Sequence, residues 1–354
     1  MSNADTPKGV ALAPLGDLQL DLFGIAEGPT ANDRYSNSIE LWDALPKHLW
    51  GNKREFHDLK ISEIVRSCTL RGVEYKVVVK PALITKDGKS SLIYPGPREE
   101  FVEDALRKLA VNGSSTMVKE NAGVVFTLYQ LRNELKSMNH TYSIEEIKEA
   151  IQVCGGAKIE CYTDTGGDKS SMGSSFFPLV ALTTRGEDEV TTKGKNTKCL
   201  VVFHPMVTRS ILELSFRKYN YSLGMRINNS LARFIYKRMS HYWIQASDDQ
   251  PYTPSLVSFL KQSPRGLTER MPDNVRAMKT ALDDLIKHEV VSHYDAEQLL
   301  QGRKIVDIRY KIYPHANFVK MAMAANKQKS LNHIEHSKGL LVAGKSKKGS
   351  KDNG

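Results

Sequence analysis

The sequence predicts an α+β fold: tandem winged helix-turn-helix domains between a disordered N-terminal arm and a basic C-terminal tail. Three observations predict it. The chain has 354 residues, enough for two or three domains that each bury a core. Hydrophobic spacing passes twice from helical to strand period, in the order helix, turn, helix, β-hairpin. Charge is unevenly distributed, with an acidic start and a Lys/Gly/Ser-rich end around a basic middle.

Composition narrows the function classes. Hydrophobic residues at 40% and charged residues at 25% argue against disorder over most of the length. A formal net charge of +10, with a pI of about 9.2, points to an anionic partner, nucleic acid or an acidic membrane surface. Apolar runs such as Ala11 to Pro14 and Leu200 to Phe203 fall far short of the roughly 20 residues of a membrane span, so no membrane partner is expected. MSNADTPKGV lacks the basic start and apolar stretch of a secretory signal, which makes the cytoplasm the expected compartment. Cys68, Cys154, Cys161 and Cys199 form no CxxC pair and read as buried thiols. A metal site of Cys154, Cys161, Cys199 and His204 is disfavoured by its spacing, so no metal or other cofactor is expected.

Residues 1–33 carry five carboxylates (Asp5, Asp17, Asp21, Glu27, Asp33) against Lys8, with Pro7, Pro14, Pro29 and four glycines. The arm, taken as residues 1–40, is expected to be disordered. Its net charge of −4 leaves +14 on residues 34–354, so the basic character belongs to the folded part.

In the first domain, residues 55–205, Val124–Phe126 is a short strand and Leu128, Leu131 and Leu135 mark a helix. Ser143 and Glu146 have capping-box spacing ahead of Ile144, Ile147, Ile151 and Cys154, the face of a second helix that Gly155-Gly156 stops. KIECYT and SSFFPLVALTT read as two strands joined by the loop DTGGDKSSMG, and KCLVVFHP as a further strand. Because this second helix displays Glu145, Glu146 and Glu149 with only Lys148, repulsion opposes its insertion between phosphates. The domain reads as a dimerisation or backbone-contact module.

The second domain, residues 206–329, gives a clearer signal. Leu231, Ile235, Met239 and Tyr242 share one face of a helix, and YTPSLVSFLKQS, with Pro254 in its first turn, gives another. After the turn SPRGLTERMP, Val275, Met278, Leu282 and Leu285 form the inner side of a third helix, which leaves Arg276, Ala277 and Thr280 outward. VVSHY and KIVDIRYKIYP, joined by DAEQLLQGR, make the wing, and NFVKMAMAANK closes the domain. The candidate DNA-contacting set is Arg265, Arg270, Asn274, Arg276, Ala277, Lys279 and Thr280 around the helix start, with Arg303, Lys304, Arg309 and Lys311 on the wing. Arg pairs with guanine O6/N7, and one such bidentate contact is worth about 1–3 kcal/mol of discrimination. The alternative is that Arg276 and Lys279 pair with Asp273 and Asp283 and merely solvate a face. Residues 330–354 are expected to be a flexible basic tail that touches phosphates non-specifically.

Residues 228–326 resemble the winged-helix replication initiators of bacterial plasmids. The residues that carry the resemblance are LARFIYKRMSHYWIQAS, PYTPSLVSFLKQSPRGL, NVRAMKTALDDLIK and KIVDIRYKIYPHANF, and residues 55–329 look like both winged helices of that family. The resemblance implies binding to direct repeats (iterons) at a plasmid origin, opening of a neighbouring AT-rich segment and recruitment of the host replicative helicase and initiator ATPase. It also implies a monomer–dimer equilibrium whose dimers repress their own gene and so control copy number, in a cytoplasmic protein associated with plasmid or nucleoid.

In the arm, Gln19, Leu20, Asp21, Leu22 and Phe23 read QLDLF, similar to the pentapeptide by which bacterial replication proteins dock on the polymerase sliding clamp. Leu22 and Phe23 can fill an apolar pocket while Gln19 supplies a directional hydrogen bond.

Enzyme readings fail on context, and no catalytic residue is expected. GLLVAGKS fits the phosphate-loop pattern, but no strand precedes it and no helix-forming sequence follows. A rolling-circle nickase needs paired histidines beside a tyrosine, and no His-x-His occurs; the His-x-x-Arg of tyrosine recombinases is also missing. Two other functions use the same features: a transcriptional repressor of this fold, and a replication adaptor that acts mainly through the clamp-type arm.

Overall fold

The computed structural model describes Phe23 and residues 34–51, 54–58, 63–165, 168–183 and 198–349. Strand β1 (Tyr35–Ile39) leads into the short helix α1 (Glu40–Ala44), followed by β2 (Glu55–Phe56), β3 (Ile64–Leu70), β4 (Val73–Lys80), β5 (Ala82–Lys86) and β6 (Lys89–Ile93). The first unit then runs α2 (Pro97–Leu109), β7 (Ser115–Val118), β8 (Asn121–Phe126), α3 (Leu128–Ser137), α4 (Ile144–Gly156), β9 (Lys158–Thr165), β10 (Asp168–Ser175), β11 (Leu179–Ala181) and β12 (Cys199–Val202). A connection of α5 (Pro205–Leu212), β13 (Phe216–Asn220) and α6 (Tyr221–Arg226) precedes the second unit. That unit consists of α7 (Ser230–Tyr242), α8 (Leu256–Lys261), α9 (Met271–Lys287), the hairpin β14 (Val291–Gln301) and β15 (Lys304–Pro314), and the long helix α10 (Ala316–Gly349).

Local chemistry sets the helix starts. The Ser143 hydroxyl accepts from the Glu146 amide at 3.1 Å while the Glu146 carboxylate accepts from the Ser143 amide at 2.8 Å, the reciprocal cap expected from the sequence. Thr127 and Gln130 do the same for α3 at 3.0 and 2.8 Å. Leu131, Leu135, Ile147, Ile151 and Cys154 are buried, as the helical spacing requires, and all four cysteines are buried and free.

Three features differ from expectation. Residues 168–173, expected in the loop 164–173, instead begin strand β10, which runs on through the expected strand residues 174 and 175 and pairs along its length with β9 (Asp168↔Thr165 to Ser175↔Lys158). This hairpin is not a free-standing pair of strands: it joins β3 and β4 in a sheet of order β10-β9-β4-β3, while β11, β12, β8 and β7 form a second sheet in that order. A Ser- and Gly-rich strand carries no alternating apolar signal, and main-chain pairing to β9 alone makes it a strand. The arm ends earlier than residue 40. Residues 35–39 are strand β1, paired with β13, and Phe23 is buried. Residues 330–349 continue helix α10 instead of forming a flexible tail, so 339–346 have helical backbone and not the loop that a phosphate cradle needs. A smaller correction concerns α8, which begins at Leu256 with the Ser255 hydroxyl accepting from Ser258 N, so Pro254 lies before the helix.

The two units meet through charges. Arg233 of α7, fully buried, donates to Glu100 of α2 at 2.8 Å; Lys237, one turn on, reaches Asp104 at 2.6 Å and Glu100 at 3.3 Å. Arg107 of α2 bridges to Asp43 of α1 at 2.7 Å. Burial works to raise the Glu100 carboxyl, but Arg233 and Lys237 overrule it and hold it well below the usual range. Such a set stabilises only while complete, since a lost partner leaves an uncompensated charge out of water.

Candidate nucleic-acid interface

The turn into α9 is built around one side chain. Asn274 Oδ1 accepts from Thr268 N (3.0 Å), Thr268 Oγ1 (2.8 Å) and Arg265 Nη1 (2.9 Å), while its Nδ2 donates to Thr268 O (2.7 Å). Arg265 also donates to the carbonyls of Gly266 and Asp273, at 3.1 and 3.3 Å. Asn274 is 1% exposed and every polar atom of its side chain is engaged, so its expected place among the DNA-contacting residues is corrected: it holds the turn. Arg265 is half-buried, and its guanidinium is engaged with the turn. Ala277 is half-buried against the core, because it lies between the exposed and buried faces of the helix.

The exposed face of α9 carries Arg276, Lys279 and Thr280, with Arg270 at its N-cap. The Arg270, Arg276 and Lys279 side chains are 79, 77 and 65% exposed. Acids alternate with them: Arg270 and Arg276 lie 3.8 and 3.5 Å from Asp273, and Lys279 lies 2.8 Å from Asp283. The pairings of the solvated-face alternative are therefore present. Exposed pairs of this kind are worth about 0–1 kcal/mol, little enough for phosphates to displace them. Tyr294 at the base of the β14–β15 hairpin donates to Asp283 at 3.2 Å and ties the hairpin to the helix, a contact between residues eleven apart that no sequence spacing announces.

The wing candidates divide by face. Ile308, Tyr310 and Ile312 are buried toward the helices, so the alternating Arg309 and Lys311 point to the opposite face, in register with Glu297 and Asp295. The structure does not bring these two to the side of α9. Arg303 and Lys304 sit exposed at the hairpin tip, where residues 302 and 303 form a two-residue turn; Gly302 has φ +62°, a left-handed value suited to glycine. Tyr252 and Ser255 form isolated antiparallel bridges to Ile312 and Arg309, which lay residues 252–255 alongside β15.

In the first unit, α4 presents an acidic surface as expected. Glu149 is held by Arg98 at 2.7 Å, and Glu145 lies 75% exposed, 4.0 Å from Lys148. Of the clamp-type peptide, Gln19, Leu20, Asp21 and Leu22 lie outside the described residues. Phe23 is 1% exposed, packed edge-on against Phe216 with centroids 5.1 Å apart, and its carbonyl accepts from Asn37 Nδ2. The expectation of an accessible peptide is corrected at this residue: an aromatic with a core site at hand buries there. Among the described residues no group of His, Cys, Asp or Glu could hold a metal ion, and no helix is long and apolar enough to cross a membrane.

No protein-family model matches the chain, and no curated protein does. Solved structures do. Domains 2 and 3 of RctB match with a TM-score of 0.51 and 11% identity, over 76% of this chain and 96% of that one. A second structure of RctB domains 2–3 gives 0.45 and 10%, over 81 and 98%. The Pi initiator protein in complex with iteron DNA gives 0.39 and 13%, over 62 and 94%. The first of these likenesses shows a shared fold, mixed α and β, across three-quarters of the chain.

Proposed function

We propose that this chain is a non-catalytic replication initiator of the plasmid type, which binds direct repeats at an origin through α9 and the tip of the β14–β15 hairpin. In this reading both units are winged helices. The second has the order such a domain needs: helix α7, the bridging segment at Tyr252–Ser255, helices α8 and α9, then the hairpin. The fold shared with RctB domains 2 and 3 agrees with that reading. The observation that carries it is the placement of Arg276, Lys279 and Thr280 on the exposed face of a helix whose base is tied to a hairpin with Arg303 and Lys304 at its tip. Origin opening and recruitment of the helicase and initiator ATPase follow from the initiator role, and the acidic α4 leaves the first unit to dimerisation or backbone contact.

Arg276→Ala tests the assignment. Loss of one bidentate base contact lowers affinity for the repeat by about 1–3 kcal/mol, roughly five- to 150-fold, with the melting temperature unchanged. Unaltered binding would return α9 to a solvated face. Clamp docking through QLDLF remains part of the proposal, with Phe23 leaving its seat on Phe216 to reach the clamp. Gln19→Ala with Leu22→Ala then abolishes capture of purified clamp while DNA binding persists; undiminished capture removes that part. The burial of Phe23 counts against an adaptor that acts mainly through a free arm.

A further inference from the structure

The tip of the β14–β15 hairpin is apolar as well as basic. Leu300 is 59% exposed and Val306 39%, on either side of the Gly302-Arg303 turn and Lys304, and no residue from 295 to 306 is buried. The strand register breaks at this place. Leu299 pairs with Asp307 and Leu300 with Ile305, which leaves Val306 as the extra residue of a bulge. Bulges turn side chains out of the regular pleat. Leu300 therefore stands beside the turn on a projecting hairpin, next to two exposed cations and outside the core.

We propose that Leu300, flanked by Val306, is a wedge that enters the minor groove of duplex DNA and partly unstacks one base step, with Arg303 and Lys304 on the phosphates at the groove edges. This deepens the DNA-binding reading above and rests on it. Charge complementarity selects the occupant. The groove floor and sugar faces accept an apolar side chain while the phosphate rims need cations, and apolar wedges between base steps kink the duplex at a cost of a few kcal/mol per step. The Tyr294–Asp283 contact fixes the hairpin to α9, so energy gained by helix and cations can offset that cost at a defined distance from the repeat. The wedge gives the chain a way to weaken stacking beside its binding site without catalysis.

The test uses the full chain on the duplex directly upstream of its own coding sequence. Permanganate reports unstacked thymines, and anisotropy at several salt concentrations reports phosphate contacts. The wild type makes thymines hyper-reactive at a fixed offset within each footprint. Leu300→Ser with Val306→Ser removes the hyper-reactivity and keeps the melting temperature and salt slope, whereas Leu300→Met keeps the hyper-reactivity. Arg303→Ala with Lys304→Ala flattens the slope of log K against log salt by about 1.8, two phosphates' worth. Wild-type binding without reactive thymines, or reactivity surviving in the serine variant, overturns the wedge and leaves the initiator reading standing. A serine variant changed only in oligomeric state also overturns it and makes the tip a contact between copies. Failure of the wild type to bind the duplex at all overturns both readings.

Discussion

Asn274 gathers three donors on one amide oxygen while buried, so Asn274→Ala strands the Thr268 amide and hydroxyl and the Arg265 guanidinium. The expected cost is about 1–3 kcal/mol for the unsatisfied groups, read as a fall in denaturation midpoint. A base-reading residue would instead move DNA affinity and leave the midpoint alone. His204 and His241 give a second prediction. Burial holds both pKa values down to about 3, and both His241 ring nitrogens lack a partner among the described residues. Unfolded histidine titrates near 6.5, so between about pH 6.5 and 3 the unfolded state binds more protons and stability falls with pH, by about 1.4 kcal/mol per unit for each residue. A His241→Gln variant has an acid limb shallower by that amount, and an unchanged slope in urea titrations across pH contradicts the assignment. Sequence could not separate Asn274 from its neighbours, because a polar residue at a helix start suits a groove and a turn equally well.

At the scale of elements, what could be read in advance was what local chemistry decides. The α4 cap follows from Ser143 and Glu146, and the inner face of α9 from Met278, Leu282 and Leu285. What partners decide could not be read. Helix α2 escaped notice because more than half of PREEFVEDALRKL is charged, a composition that reads as solvated surface until Arg233 and Lys237 of α7 are laid against it. The continuation of α10 past residue 330 was hidden by a Lys/Gly/Ser-rich sequence of low intrinsic helix signal. The buried set makes its own prediction. Lys237→Met leaves Glu100 and Asp104 short of a partner and costs about 3–5 kcal/mol. In the double-mutant cycle with Asp104→Leu the pair costs less than the sum of the singles by more than about 1 kcal/mol. Strict additivity would show that the two charges do not act on each other.

For the whole molecule, the buried charges hold α7 of the second unit against α2 of the first. The formal charge of +10 raises association with any polyanion, so affinity alone does not separate an initiator from a merely cationic protein. The ratio between sequences does. Fluorescence anisotropy of the full chain on DNA flanking its own gene, against scrambled DNA of equal length at two salt concentrations, tests the account most directly. The account predicts a preference of about a thousandfold for the repeat-bearing duplex that persists at the higher salt, as base contacts require. Equal binding to both duplexes, falling together as salt rises, would contradict it and leave only a cationic surface.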